Sequence, residues 1–432
     1  MKERYRILYV EPAARFGGGA ASLLRLLSKL DKRRYEPIVL VRRPGALAEL
    51  FRKAGVEVVC LSDKPLDHVA ASEALRSKRD IAVAIERYSP RLAAAYRTAK
   101  VWLAVAQKDL GEAGRIAALI RRLRIDLVHL NNRIDDTRSA ALAAVISRTP
   151  CVCHVRFYGS FRGPDRWIAR RIRHHIFISR AVADDTRTRM PGLPGSIIYD
   201  GVDLPTALSG EQRRRVRAEW GWNDADFVIG NAGRIVEWKG QAVFLRALAR
   251  IVPHSPQIRA LIIGDIDPPE DAHYLRRLQA LVTGLGLEER VCFSGHYDDM
   301  PTLLGALDAV VHTATLPEPF GLVVIEGMAA GRPVVASAAG GILDIVTNDR
   351  VGVLTPMGDE VALAKALRRL ADDPELGRRL GDSGRAHVAA HFSGEQFIGE
   401  VEGIYRKMFS SVKSQVDSHS SMVRERVQSD PR

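Results

Sequence analysis

Short apolar runs alternate with amphipathic stretches along most of this chain. Residues 6–10 (RILYV), 37–41 (PIVLV), 56–61 (VEVVCL), 126–130 (DLVHL), 151–155 (CVCHV) and 174–179 (HHIFIS) are runs of strand length in the first half. Residues 226–232 (DFVIGNA), 259–265 (RALIIGD), 290–295 (RVCFSG), 308–313 (DAVVHT) and 332–337 (RPVVAS) are their counterparts in the second. Uninterrupted apolar runs of this kind predict strands covered on both faces. Between them, AASLLRLLSKL (20–30), AVFLRALARIV (242–252), AHYLRRLQALV (272–282) and EVALAKALRRLA (360–371) carry apolar residues at helical spacing. Strand and helix in alternation predict α/β architecture with parallel, doubly wound sheets.

The alternation breaks at 197–210, IIYDGVDLPTALSG, where Gly and Pro interrupt it. Two Rossmann-like domains are expected, 1–200 and 201–395. Residues 64–124 depart from the pattern, being Ala-rich, basic and helical in character. The last residues, 413–432, are polar and are expected to be disordered.

Charge changes the picture further. The chain of 432 residues carries 64 Lys/Arg and 51 Asp/Glu, a net +13. Residues 1–200 hold 38 of the cations against 20 acids, so +18, and the remainder holds 26 against 31, so −5. A basic half reads about evenly as a solvated basic face or as a surface for a polyanionic partner: an anionic membrane surface, a nucleic acid or an anionic substrate. Nucleic acid is the weaker choice, because basic and aromatic residues are not interleaved as single-strand readers require. No apolar stretch reaches membrane-span length, and the apolar run near the N-terminus is too short for a signal peptide. The four scattered cysteines fit a reducing compartment. A cytoplasmic protein, peripheral on the inner face of a membrane, is therefore expected.

Three stretches carry candidate chemistry. The first is RFGGGAASLL, where Gly18 and Gly19 open a helix and let backbone amides approach an anion. It lacks the third glycine and the ribose-binding acid of a dinucleotide fingerprint, so an oxidoreductase reading is weak, although an Arg at the end of the second strand could tolerate NADP, and a plain tight turn is the better reading of this loop alone. The second is GRIVEWKG, where Gly233, Arg234 and Lys239 follow a strand. Its order is not that of a P-loop, yet an Arg and a Lys in a glycine-bounded loop can clamp a diphosphate. The third is EPFGLVVIEGMAAG. Glu318 precedes a helix start at Phe320, Gly321 and Leu322, and Glu326 is the one ionisable side chain in the apolar helix. A lone carboxylate on such a helix needs a hydrogen-bond partner, either ribose hydroxyls or an arginine elsewhere in the chain.

With Glu318 and Glu326 eight apart in EPFGLVVIEGMAAGRPVVAS, followed by AGGILDIV and GVLTP, the chain resembles the retaining GT-B glycosyltransferases of family 4. GRIVEWKG, IIGDID, IYDGVD and FISRAV stand in the family's order; FGGGAASLL, DLVHLNN and CVCHVRFYG extend the resemblance sparsely into the first half. It implies two Rossmann-like domains facing a cleft, with a final helix over 396–412 crossing back to the first. It implies a nucleotide-sugar donor carrying UDP, GDP or ADP, bound without a metal or other cofactor, and a glycan, lipid-linked or small-molecule acceptor. Arg234 and Lys239 would bind the diphosphate, Glu326 the ribose, and Glu318 the transferred sugar, helped by amides at Phe320, Gly321 and Leu322. Gly18, Gly19 and Gly233 would line the donor site, and His154 would contact the sugar. By residue type alone, His154, after Cys151 and Cys153, reads more readily as a strand-end residue. Transfer would retain configuration by front-face substitution. A sugar-nucleotide epimerase on the same fold and a basic nucleic-acid-binding protein are the alternatives. Gly327, Asp344 and Ile266 depart from the family's usual residues and leave the donor's identity open.

Overall fold

The computed structural model of the chain describes residues 4–13, 16–62, 105–159, 163–266 and 272–410, with Phe161 and scattered residues between 89 and 103. Much of the basic 64–124 stretch and the 413–432 tail lie outside the described residues. The described residues fall into two units. The first holds the chain up to Phe177, Ala183–Ile198 and the residues from Glu395 on; the second holds Ile178–Val182 and Tyr199–Gly394.

In the first unit, seven strands pair in parallel. They are β1 (Tyr5–Glu11), β2 (Tyr35–Val41), β3 (Glu57–Cys60), β4 (Leu127–Asn131), β5 (Cys151–Val155), β6 (His174–Phe177) and β7 (Gly195–Ile197), in the order β3-β2-β1-β4-β5-β6-β7. The order reverses between β1 and β4, which opens a crevice at the carboxyl ends of those strands. Helix Gly18–Lys29 lays Leu23, Leu26 and Leu27 on the sheet, all nearly fully buried. Residues 395–410 of the last described helix belong to this unit as well, and bury Phe397, Val401 and Tyr405 in the same core. The Tyr405 hydroxyl meets His129 Nδ1 at 2.7 Å, and the Phe409 ring stacks on Tyr5 at 3.9 Å between centroids. Removing side chains of this size from water contributes about 1.5–3 kcal/mol each, enough to hold the helix against the sheet.

In the second unit, six parallel strands follow the order β10-β9-β8-β11-β12-β13. They are β8 (Phe227–Ala232), β9 (Ile258–Ile263), β10 (Val291–Gly295), β11 (Ala309–His312), β12 (Val334–Ser337) and β13 (Val353–Thr355). Here the reversal lies between β8 and β11. All eleven apolar runs form strands. The two that the pattern misses, β7 and β13, are three-residue strands at sheet edges. Such a piece is too short to show a period and is held in place by its neighbour alone. Among the described residues no helix is long and apolar enough to cross a membrane.

Candidate active site

The loops that leave β8 and β11 meet at the reversal of the second sheet. The β8 loop, Gly233–Gly240, is anchored at both ends. Gly233 N bonds to Ile263 O at 2.9 Å and Ile235 N to Asp265 O at 3.0 Å, so the neighbouring β9 loop supports its first half. The Gln241 side-chain amide donates to Arg234 O at 2.8 Å. At the other end, Thr313 Oγ1 donates to Lys239 O at 3.0 Å and Thr315 N to Trp238 O at 2.8 Å. Asn231 Nδ2 donates in turn to Thr313 Oγ1 at 3.0 Å. Gly240 ends the loop with φ +71°, and a Cβ there would lie 1.9 Å from Thr313 O. Any side chain at Gly240 would push the lysine loop off β11.

This anchoring delivers Lys239 to Glu318. The ammonium lies 2.6 Å from Glu318 Oε2 and 4.3 Å from the centre of the Trp238 ring. The same oxygen receives His312 Nε2 at 3.0 Å from the last residue of β11. Glu318 is 8% exposed and His312 3%. Burial alone would raise the Glu318 carboxyl, but the Lys239 charge and the His312 hydrogen bond outweigh it and bring it down to about 2. The group is thus a fixed anion at neutral pH. An ionised carboxylate only accepts, so His312 carries its proton on Nε2. Glu318's backbone is pinned as well: its carbonyl accepts Gly341 N at 2.7 Å from the AGG turn. Arg234, in contrast, is exposed, and its guanidinium has no hydrogen bond or ion pair with the described residues.

The helix Leu322–Ala329 starts directly after Glu318-Pro-Phe-Gly. Gly321 precedes it at φ +109°, a conformation that β-carbon-bearing residues resist. Phe320 is buried and its ring packs with Tyr199 and Phe392, with centroids 6.0 Å from each. The side chain is thereby an anchor, and only its backbone is available for recognition. Val324, Ile325, Met328 and Ala329 are buried, whereas Leu322, Val323 and Glu326 are half-exposed. Glu326 therefore sits with Leu322 and Val323 on the partly open side of a helix whose other side is buried. The first amides of any helix lack intrahelical acceptors and carry partial positive charge, so this start favours an anion.

Gly18, Gly19 and His154 belong to the first unit. Gly18 and Gly19 occupy the first turn of helix Gly18–Lys29, and Gly19 O accepts Asn131 Nδ2 at 3.2 Å. His154 is fully buried in β5, beside His129, Phe397 and Arg156. Burial, followed by the Arg156 charge, pushes its imidazole far below the ordinary histidine range, so it stays neutral. Around it lies a network that the sequence did not single out. Arg156 donates to Asn131 Oδ1 at 2.7 Å and to Ser22 Oγ at 2.9 Å, and Asn131 donates to the buried Glu11 at 2.5 Å. In the second unit, His312 was likewise unmarked; its signal was a polar residue at the carboxyl end of an apolar strand, next to the reversal.

Comparison with known proteins bears on the same regions. A model described as glycosyl transferases group 1 matches residues 212–387, and one described as Glycosyltransferase Family 4 matches residues 16–205. N-acetyl-alpha-D-glucosaminyl L-malate synthase of Bacillus anthracis is 25% identical over 308 residues, 69% of this chain and 78% of that protein. A D-inositol 3-phosphate glycosyltransferase of Streptomyces bingchenggensis is 28% identical over 68% of this chain and 64% of its own length. Among solved structures, Anabaena Alr3699/HepE in complex with UDP and glucose aligns with TM-score 0.73 and 24% identity, covering 93% of this chain and 99% of that one. Sucrose-phosphate synthase from Thermosynechococcus elongatus aligns with TM-score 0.70 and 22% identity, over 94% and 100%. The two parallel, doubly wound sheets are those the GT-B resemblance implies.

Proposed function

This chain belongs to the glycosyl transferases group 1, and we propose that it moves a sugar from a nucleoside-diphosphate sugar to a hydroxyl acceptor. The observation that carries the reading is the Lys239–Glu318–His312 cluster at the reversal of the second sheet, beside an open helix start. Open parallel sheets bind ligands at such a point. In this reading the Leu322–Ala329 helix start and the Arg234 and Lys239 cations take the diphosphate, and Glu326 takes the ribose hydroxyls. Glu318 accepts hydrogen bonds from hydroxyls of the transferred sugar.

As the glycosidic bond breaks, negative charge gathers on the departing diphosphate. Fixed cations and helix amides meet it there without reorganising, and so favour the transition state over bound substrate. No enzyme carboxylate acts as nucleophile in this mechanism. The acceptor hydroxyl approaches on the face the diphosphate leaves, a leaving phosphate oxygen takes its proton, and configuration is retained. Charge stabilisation is assigned to Arg234, Lys239 and the helix start, with no metal at the diphosphate. The Alr3699/HepE complexes with UDP and UDP-glucose support a nucleotide-sugar donor. The relatives' names point to glycan or small-molecule acceptors, including lipopolysaccharide core in a Rhizobium leguminosarum mannosyltransferase. The +18 charge of residues 1–200 supports work at an anionic membrane face, on cell-surface glycan or glycolipid precursors.

The test is to incubate the full chain with UDP-, GDP- and ADP-sugars and candidate acceptors. Release of nucleoside diphosphate, transferred label and the anomeric configuration of the product are then measured, with and without chelator. Net retention in excess EDTA supports the reading. An inverted product refutes the stereochemical assignment, and a rate abolished by EDTA and restored by a divalent ion refutes the metal-free one.

A further inference from the structure

We propose that His312 is a positioning residue of the donor site, acting through Glu318 on Lys239. The inference rests on the donor-site reading above. The geometry that supports it is a single carboxylate oxygen shared by two donors from different elements. Glu318 Oε2 receives the Lys239 ammonium at 2.6 Å from the β8 loop and His312 Nε2 at 3.0 Å from the end of β11. His312 is 3% exposed, and its Nδ1 is buried with no hydrogen-bond partner among the described residues. The imidazole therefore has one polar contact to offer, and it is spent on Glu318. A group sealed in this way does not touch a substrate. It sets where the carboxylate stands, and the carboxylate sets where the lysine stands.

The strand end is itself held. Ser337 Oγ contacts His312 O at 3.4 Å, and Thr313 ties the lysine loop to β11 through Lys239 O. An ammonium has three N–H groups and no acceptor. With His312 satisfying part of the carboxylate, Lys239 can hold Glu318 with one N–H and present others to an arriving phosphate. Without His312, more of the burden of neutralising a buried anion falls on the lysine, which is then held more tightly by Glu318 and is less free to turn its N–H groups to the diphosphate. The residue's function is thus to divide Lys239 between its carboxylate and its ligand.

Two substitutions separate this role from simple packing. His312→Leu removes the donor and fills the space; His312→Gln places a side-chain N–H near the position of Nε2. UDP, GDP and ADP serve as probes, titrated separately by calorimetry against the full chain, both variants, Lys239→Ala and the Lys239→Ala/His312→Leu double variant. The expected result is about tenfold or greater weakening in His312→Leu for whichever diphosphate the unmodified chain binds, with recovery in His312→Gln. In the Lys239→Ala background, His312→Leu is expected to add little, because the lysine through which it acts is gone. If the unmodified chain binds none of the three, the donor-site reading fails and the inference falls with it. If it binds one and His312→Leu binds as tightly, the reading stands and the inference is overturned. Equal weakening in the Leu and Gln variants, or losses that add fully to those of Lys239→Ala, also overturns it.

Discussion

Replacing Glu318 by Gln keeps the side chain's volume and one acceptor oxygen, turns the other oxygen into an NH2 donor and removes the charge. In the folded protein that charge is favoured: the carboxyl is held at about 2 against an ordinary value of 4.5, because the Lys239 ammonium and the His312 hydrogen bond overcome burial. At about 1.4 kcal/mol per unit, the ionised form contributes roughly 3 kcal/mol to the stability of the second unit. A group whose pKa is lowered on folding stabilises fully above its unfolded value and loses that contribution as pH falls toward the folded one. The gap between the parent and Glu318→Gln is therefore expected to be full at pH 7 and unchanged down to about pH 5. Near pH 3.5 roughly 1.4 kcal/mol of it should be gone. For a unit of about 200 residues the gap at pH 7 corresponds to a fall of roughly 6–12 °C in Tm. Urea unfolding and thermal melts at pH 7, 5 and 3.5 measure it. Equal stability at pH 7, or a gap that does not shrink below pH 4.5, would refute the argument that Lys239 and His312 hold this carboxylate ionised.

Further outcomes follow from the same geometry. Lys239→Ala should lower kcat by about 10²–10³, the range for loss of one preorganised donor, as read by initial rates of transfer. Glu326→Gln should weaken nucleotide binding by about tenfold with little change in Tm, since the residue is half-exposed; a large fall in Tm with unchanged affinity would show a structural ion pair instead. Gly240→Ala should destabilise the second unit by at least about 1–3 kcal/mol, from the positive φ and the approach of Thr313 O, measured by denaturation. If the basic first half seats the enzyme on a membrane, it should float with anionic but not neutral vesicles, and added salt should release it.

Most of the fold was legible because buried parallel strands leave long apolar runs, and eleven of them stand out between helical repeats. The three-residue edges β7 and β13 were not, since nothing in GSI or VLT differs from a loop. The loop glycines were legible as glycines, but the reason for Gly240 lies in Thr313, 73 positions away in sequence. The two carboxylates were visible by spacing, yet their environments were not. The sequence makes Glu326 look buried, whereas the structure leaves it half-open and buries Glu318. Sequence assigned Lys239 and Glu318 to different groups of the donor and gave no sign that they touch. His312 and Arg156 were hidden for the same reason. Each becomes a candidate only once parallel pairing sets its strand end beside other loops.

Where a nucleoside diphosphate binds decides most directly between a donor site at this cluster and a site elsewhere. Hydrogen exchange of the full chain, with and without whichever of UDP, GDP or ADP binds, reads this peptide by peptide. Slowed exchange is expected in peptides covering Gly233–Gln241 and Glu318–Val323, with the effect lost in Lys239→Ala at the same ligand concentration. Binding without protection of either segment, or protection that persists in full without Lys239, would contradict a donor site at this cluster.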